Sequence, residues 1–431
     1  MMTYKQALEY LAVINKFGMN FGLERIEKLL ELMNHPERCF KVIHVTGTNG
    51  KGSTSAMLAS ILQAAGIKTA LYTSPHLWEY TERMVVNGHQ ISRDAFAAAI
   101  EHTTDIVTEM VTNGWEHPTE FEILTAAAFD YFATAGVEYA VVEVGMGGLL
   151  DSTNVVMPEV AIITNVTLEH TDRLGKTVVE IAHQKAGIIK QNTAVVTAAK
   201  GDALAVIQAT AVAKAAPLFV LGQDFFSNST SVDGLQQDVM IETSQHDNLG
   251  EFTVNLLGRH QVENSAVAVM AALVLAEGES RITLAAIRAG LENVQWPGRF
   301  EVLDRHPTVI IDGAHNPDGA RVLRETLDDI FPGKEIVFLL GILADKDVAG
   351  ITATLVRCQD DAVIVRPLSD RAADPAEIVG NLAAKRIELA ETIDQGYAKA
   401  CSLAGKDGVV CVAGSLYLIG PARKVIYKSR T

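Results

Sequence analysis

The stretch HVTGTNGKGSTSAMLASIL, residues 44–62, decides how the rest of the chain is read. The β-branched run leading into it, residues 41–46, reads as a buried strand, the glycines at 47, 50 and 52 as a turn, and the Ala, Leu and Met that follow as a helix. A strand-to-helix junction leaves backbone N–H groups free, and with the helix dipole they favour an anion. Glycines let that backbone wrap phosphate oxygens, and Lys51 supplies charge, so the stretch reads as a nucleotide-binding P-loop. It departs from the usual pattern in two places. Val45 stands where the first glycine would be, and Gly52 stands where a metal-binding hydroxyl would follow the lysine. A magnesium ion must then find its ligands elsewhere.

Outward from the turn, apolar strand-like runs at residues 41–46, 68–74, 138–144, 160–165 and 194–197 alternate with Ala-rich helical patterns at 53–65, 121–135 and 178–190. That alternation predicts a parallel sheet with helices on both faces. Residues 230–257 turn polar and alternating, which predicts antiparallel strands at a sheet edge, followed by helices near 261–276 and 284–291. Trp296-Pro297-Gly298 breaks structure and is the candidate hinge. Strands at 309–312, 336–341, 362–366 and 409–413 then alternate with helices again. The fold class is therefore α/β: a P-loop-containing parallel-sheet ATPase domain over residues 1–296, followed by a smaller Rossmann-like α/β domain over residues 297–431. At 431 residues the chain exceeds what one core usually supports.

The net charge of −16, from 36 Lys and Arg against 52 Asp and Glu, argues against nucleic acid or an anionic membrane as partner. Four cysteines without a C-x-x-C pair suit a reducing compartment. The opening MMTYKQALEY is polar and amphipathic, unlike a signal peptide, and no apolar run is long enough to span a bilayer. The chain is expected in the cytoplasm.

Other strand ends offer ligands for the missing hydroxyl. Glu143 closes the run EYAVVEVGMGG, and an acid at the C-terminal end of such a strand points to the ligand crevice. Ser74, in TSPHL, and His170, in NVTLEHTDRLG, stand near other strand ends. Each alone reads as an ordinary polar residue; jointly, beside a P-loop, Ser, Glu and His make a Mg²⁺ site.

Eleven segments carry a resemblance. GTNGKGS, TSPHL with its following ERM, TEFE, EVGMGGLLDSTN, NVTLEHTDRLG, HQKAGIIK, GRHQVENSAVA, WPGRFEV, IDGAHNPDGA, GILADKD and GSLYLIG occur in the order seen in folylpolyglutamate synthase and dihydrofolate synthase, members of the Mur ligase superfamily. The resemblance implies that Gly47, Thr48, Asn49, Gly50, Lys51, Gly52 and Ser53 cradle the phosphates of ATP, and that Ser74, Glu143 and His170 hold Mg²⁺. It implies adenine contact for Asn264, phosphate contact for the interdomain Arg299 and ribose contact for Asp312. Thr119, Glu120, Phe121 and Glu122 resemble the pterin-contacting segment, while His315, Asn316, Lys346 and Ser415 resemble groups near ATP or the incoming glutamate. Lys185 resembles the lysine that many Mur-type ligases carbamylate. Leu149 replaces the arginine usual in the GGRLD segment, which puts any contact of that arginine in doubt.

The implied reaction is amide formation. ATP phosphorylates the carboxylate of dihydropteroate or of a folate glutamate, Lys51, Arg299 and Mg²⁺ offset the spreading phosphoryl charge, and the amine of glutamate displaces phosphate. The resemblance implies catalytic roles for Lys185 and His315 as well. The expected partners are small molecules only, and the chain is expected to be a monomer. A P-loop kinase or switch would lack the IDGAHNP and GSLY elements, and a non-catalytic nucleotide-binding module would bind ATP without turnover.

Overall fold

The structure is a computed structural model that describes residues 2–14, 20, 22–233, 236–244 and 249–429. Two compact units divide it. One comprises Met1–Asn228, Val239–Thr253 and Val262–Val294, and the other Ser229–Asp238, Val254–Gln261 and Gln295–Thr431.

The first unit is built on eight strands: β1 (Lys41–Thr46), β2 (Thr69–Tyr72), β3 (Met84–Val86), β4 (His89–Gln90), β5 (Tyr139–Glu143), β6 (Pro158–Ile163), β7 (Ala194–Thr197) and β8 (Leu218–Val220). Their order is β4-β3-β2-β5-β1-β6-β7-β8. From β2 to β8 every pairing is parallel, in register Val45↔Glu143 and Val45↔Ile162 at the centre, whereas β3 and β4 form an antiparallel edge. The central strands are apolar throughout because both sheet faces are covered. One face buries α1 (Tyr4–Ile14), α2 (Glu24–Leu32), α4 (Arg93–Thr112) and α5 (Glu120–Ala135) around Phe96, Phe129 and Phe132. Elsewhere α6 (Val178–Ala186) and α7 (Gly201–Ala213) pack on β6 and β7 through Ala182, Ala186 and Ile207. The P-loop helix α3 (Lys51–Ala64) packs so closely on α9 (Leu284–Asn293) that Ser60 Oγ donates to the Gly290 carbonyl at 2.7 Å.

The expected edge strands at 230–257 form a sheet of their own instead: β9 (Phe225–Asp233), β10 (Gln236–Thr243) and β11 (Glu251–Val254), in the order β11-β10-β9. Their alternation has one buried face, carried by Val239, Ile241, Phe252 and Val254, which suits a small separate sheet. Residues 234–235 and 245–248 of that expected stretch lie outside the described residues. The helix expected over 178–190 stops at Ala186, where Gly187 caps it. The twenty-residue α4 and the β3–β4 edge were not expected from the sequence; α4 starts at the N-cap Ser92 and buries Phe96, Ile100, Val107 and Met110 at helical spacing. The helix α8 (Arg259–Ala276) begins two residues before its expected start.

The second unit carries β12 (Glu301–Arg305), β13 (Thr308–Ile311), β14 (Ile336–Leu340), β15 (Asp361–Val365), β16 (Arg386–Ala390) and β17 (Val409–Ala413). They run β12-β13-β17-β14-β15-β16, parallel except for the edge strand β12. The flanking strands β12 and β16 were not foreseen, being short and half polar. Around the sheet lie α10 (Pro317–Ile330), α11 (Val348–Leu355), α12 (Pro375–Gly380), α13 (Ile393–Ala404) and α14 (Leu416–Lys428). No helix among the described residues is long and apolar enough to cross a membrane.

Candidate active site

In the first unit, neighbouring strands β2, β5, β1 and β6 end on one edge, and the candidate residues follow those ends. After β1 the chain turns through Gly47 (φ +152°) and Gly50 (φ +85°), conformations that a side chain resists. Space forbids one as well. A Cβ on Gly47 would overlap Thr164 Oγ1, and one on Gly50 would overlap the amide of Asn264, a largely buried residue of α8. The adenine candidate and the phosphate turn therefore touch.

The turn is held from behind by residues the sequence reading missed. Asn165 Oδ1 accepts from Asn49 N at 2.9 Å, and its carbonyl accepts from Thr48 N at 2.9 Å. Thr164 Oγ1 donates to the Asn49 carbonyl at 2.7 Å. Asn and Thr directly after an apolar strand were the available signal. Lys51 Nζ donates to the carbonyls of Gly47 (3.0 Å) and Thr48 (3.1 Å), so its ammonium lies folded over the turn it serves. Ser53 is buried in the first turn of α3.

Glu143 ends β5 with its carboxylate turned to the next strand's end, where Oε2 accepts from Ser74 N at 3.1 Å. Ser74 and Glu143 are thus brought together. His170 sits in an exposed turn after β6 with φ +49°, its carbonyl accepting from Arg173 N and Leu174 N at 2.9 Å each. A carboxylate and a hydroxyl residue side by side at neighbouring strand ends are the oxygen donors that suit a hard cation such as Mg²⁺. Among the described residues no three His, Cys, Asp or Glu side chains cluster as a metal site by themselves.

Lys185, on the last turn of α6, is only 3 % exposed. Burial first and the Lys51 charge second push its pKa down to about 7, against the opposing pull of Glu169. A buried amine near neutrality therefore stands within electrostatic reach of the P-loop lysine. Leu149 is 44 % exposed, and its N–H donates to the Gln184 carbonyl at 2.7 Å. Asp151, also missed, pins the same loop: it accepts from Met146 N (2.9 Å), Thr153 N (3.0 Å) and Thr153 Oγ1 (2.5 Å), while burial raises its pKa.

The four residues 119–122 open α5. Thr119 is its N-cap in a capping box with Glu122. Glu122 is 1 % exposed and accepts from Thr119 N at 2.6 Å and from the Arg25 guanidinium at 3.2 Å, so it shapes the segment from inside. Glu120 is half-buried and accepts from Tyr80 Oη at 2.7 Å; Phe121 stacks on Tyr72 with centroids 6.3 Å apart.

In the second unit, Arg299 leaves the turn at Gly298, whose carbonyl accepts from Gly313 N at 2.8 Å. Asp312 follows β13 and accepts from Phe300 N and Ala314 N, each at 2.8 Å. Burial raises its pKa, and the charge of the Arg299 guanidinium opposes that rise. His315 Nδ1 lies 2.7 Å from the Gly313 carbonyl. Asn316 and Ser415 are the N-caps of α10 and α14, accepting from Gly319 N at 2.7 Å and Tyr417 N at 3.1 Å. Lys346 Nζ lies 3.9 Å from Asp345 Oδ2.

Residues 45–272 match the Mur ligase middle domain, and residues 298–416 match the Mur ligase glutamate ligase domain. A Bacillus subtilis dihydrofolate synthase/folylpolyglutamate synthase is 35% identical, over 98% of this chain and 98% of its own length. A Halobacterium salinarum protein, a probable bifunctional folylpolyglutamate synthase/dihydropteroate synthase, is 36% identical over 98% of this chain, which spans 51% of it. The Mycobacterium tuberculosis folylpolyglutamate synthase complexed with ADP and AMPPCP superposes with a TM-score of 0.87 at 32% identity, covering 98% of this chain and 99% of that one. The chain is thus a Mur ligase and belongs, among these ATP-dependent ligases, to the dihydrofolate synthase/folylpolyglutamate synthase family.

Proposed function

We propose that this chain joins L-glutamate to the carboxylate of dihydropteroate, to the γ-carboxylate of a folate, or to both, through an acyl phosphate made with ATP. The observation that supports the reading is a glycine-built phosphate cradle beside the Ser74–Glu143 pair at neighbouring strand ends of the first unit, with the buried Lys185 of α6 within electrostatic reach of Lys51. Of the two activities, a bifunctional enzyme is the reading favoured. A domain division at 296/297, a cytoplasmic site and a monomeric state complete it.

Roles follow from chemistry. The backbone N–H groups of residues 47–53 hold phosphate oxygens, and Lys51 leaves the Gly47 and Thr48 carbonyls to meet them. Asn264 takes the adenine. Ser74, Glu143 and His170 would hold Mg²⁺, which supplies charge neutralisation at the phosphates. In the second unit Arg299 serves the phosphates, Asp312 the ribose hydroxyls, and His315, Lys346 and Ser415 the glutamate side of the reaction. The neutral amine of Lys185 can take up CO₂, and the carbamate so formed is an anion where an ammonium would repel the metal. On the folate side, Glu120 and Phe121 face the pterin while Thr119 and Glu122 fix their helix.

The test omits each substrate in turn from a phosphate-release assay containing ATP, Mg²⁺, dihydropteroate or tetrahydrofolate, and glutamate. Release that needs the pterin substrate and glutamate together supports the ligase; release that ignores glutamate defeats it. Running the two pterin substrates separately decides between one activity and two.

A further inference from the structure

The parallel strands β17, β14 and β15 lie side by side in the second unit, and the loops leaving their C-terminal ends carry Ser415, Lys346 and Arg371 in that order. The helices that follow β17 and β14 return on opposite faces: α14 packs with α13, and α11 with α10. A crevice opens where neighbouring loops part in this way, and ligands of open α/β sheets bind there. Arg371 would be remote from that point but for its backbone. Its carbonyl accepts from Ala344 N at 2.8 Å, and Ala372 bridges Leu343, which folds the β15 loop back onto the β14 loop.

The guanidinium is held there too. It lies over the Tyr417 ring at 5.6 Å, two residues from Ser415, and Nη1 is 3.4 Å from Asp345 Oδ2, the same oxygen that stands 3.9 Å from Lys346 Nζ. Nη2 also reaches the Tyr417 hydroxyl at 3.5 Å, so two cations flank one shared carboxylate while Arg371 remains 56% exposed. An exposed pair of this kind adds little stability, so the arrangement calls for another explanation.

We propose that Arg371 is the specificity-determining residue that binds the side-chain carboxylate of the incoming amino acid. The inference rests on the ligase reading above. Glutamate brings two carboxylates. The α-carboxylate shares a carbon with the attacking amine, so it stays at the crevice with Lys346 and Ser415. The side-chain carboxylate, three carbons further, reaches the outer cation. A planar guanidinium braced on Tyr417 suits a bidentate carboxylate, and an uncharged amide in its place leaves that cation uncompensated.

The experiment uses the full chain with ATP, Mg²⁺ and saturating pterin substrate, and compares glutamate with glutamine. Arg371→Ala should raise the glutamate KM at least tenfold, leave the ATP KM within twofold and cut the kcat/KM preference for glutamate over glutamine at least tenfold. Arg371→Lys should recover part of that preference. An unchanged preference in Arg371→Ala, or an equal loss with both amino acids, overturns the assignment. The ligase reading fails separately, in the wild-type chain, if phosphate release does not depend on glutamate.

Discussion

The anion cradle of the first unit is one short stretch of backbone, whereas the charged cluster of the second is assembled from side chains on separate loops. Gly47 and Gly50 have no room for a Cβ, and the Thr164–Asn165 segment hydrogen-bonds the turn from behind. Its geometry is set before any nucleotide arrives. Lys346 and Arg371, by contrast, stand half in solvent around Asp345, and Ser415 and Asn316 earn their order as helix caps. The lesson concerns electrostatics. On the reading proposed above, phosphates with several charges are met by many fixed dipoles, which cost no side-chain entropy, while a small amino acid is read by a few long cations that must be ordered on binding.

The hardest blow to that contrast is aimed at Glu143. Exchanging its carboxylate for an amide preserves the hydrogen bond from Ser74 N but removes charge from the proposed metal position, so Glu143→Gln should fold normally and lose turnover by about three orders of magnitude. Near wild-type turnover at low Mg²⁺ would take it out of the metal site.

Lys185 comes next. Lys185→Ala should be nearly inactive and partly restored by acetate, and Lys185→Arg should stay inactive because it keeps charge without forming a carbamate. Stability gives an independent reading. The folded pKa of about 7 lies below the ordinary lysine value of 10.5, so the unfolded chain binds more protons between those limits and folding stability should rise with pH across that window. Lys185→Met should flatten this rise in urea melts at pH 7 to 10; an unaltered slope would mean that the amine is not held near neutrality.

Arg299 tests the second unit's share in phosphate chemistry. Arg299→Ala should lower kcat about a hundredfold with a smaller change in ATP KM, since an interaction made mainly in the transition state shows in kcat. The reverse pattern would make it a simple nucleotide-binding group.

The smallest effect should come from Asn165, which only braces the turn. Losing its acceptor for Asn49 N should cost about 1 kcal/mol of stability and raise ATP KM up to about tenfold in Asn165→Ala, with kcat nearly kept. A hundredfold loss of kcat would show that backbone geometry, and not charge, limits the first unit.

Much of the central sheet was legible because buried parallel strands are continuous apolar runs, and β1, β5, β6 and β7 announce themselves that way. The edges were not. The strands β3, β4, β12 and β16 are short and partly polar, and their pairing depends on partners far along the chain. The 230–257 stretch shows the same limit, since alternation reveals a strand with one buried face but not which sheet it joins.

By itself the sequence determined the phosphate turn and the alternating α/β order. Both are local: glycine spacing sets which backbone conformations are open, and hydrophobic period sets which faces are buried. Only the tertiary structure decided that Glu143 meets Ser74, that Asn264 closes on Gly50, that Glu122 turns inward to Arg25, and that Arg371 folds back over Tyr417. Each of those meetings joins segments separated by tens to hundreds of residues. Their free energy comes from desolvation and packing across the sheet, quantities that exist only once the chain has folded.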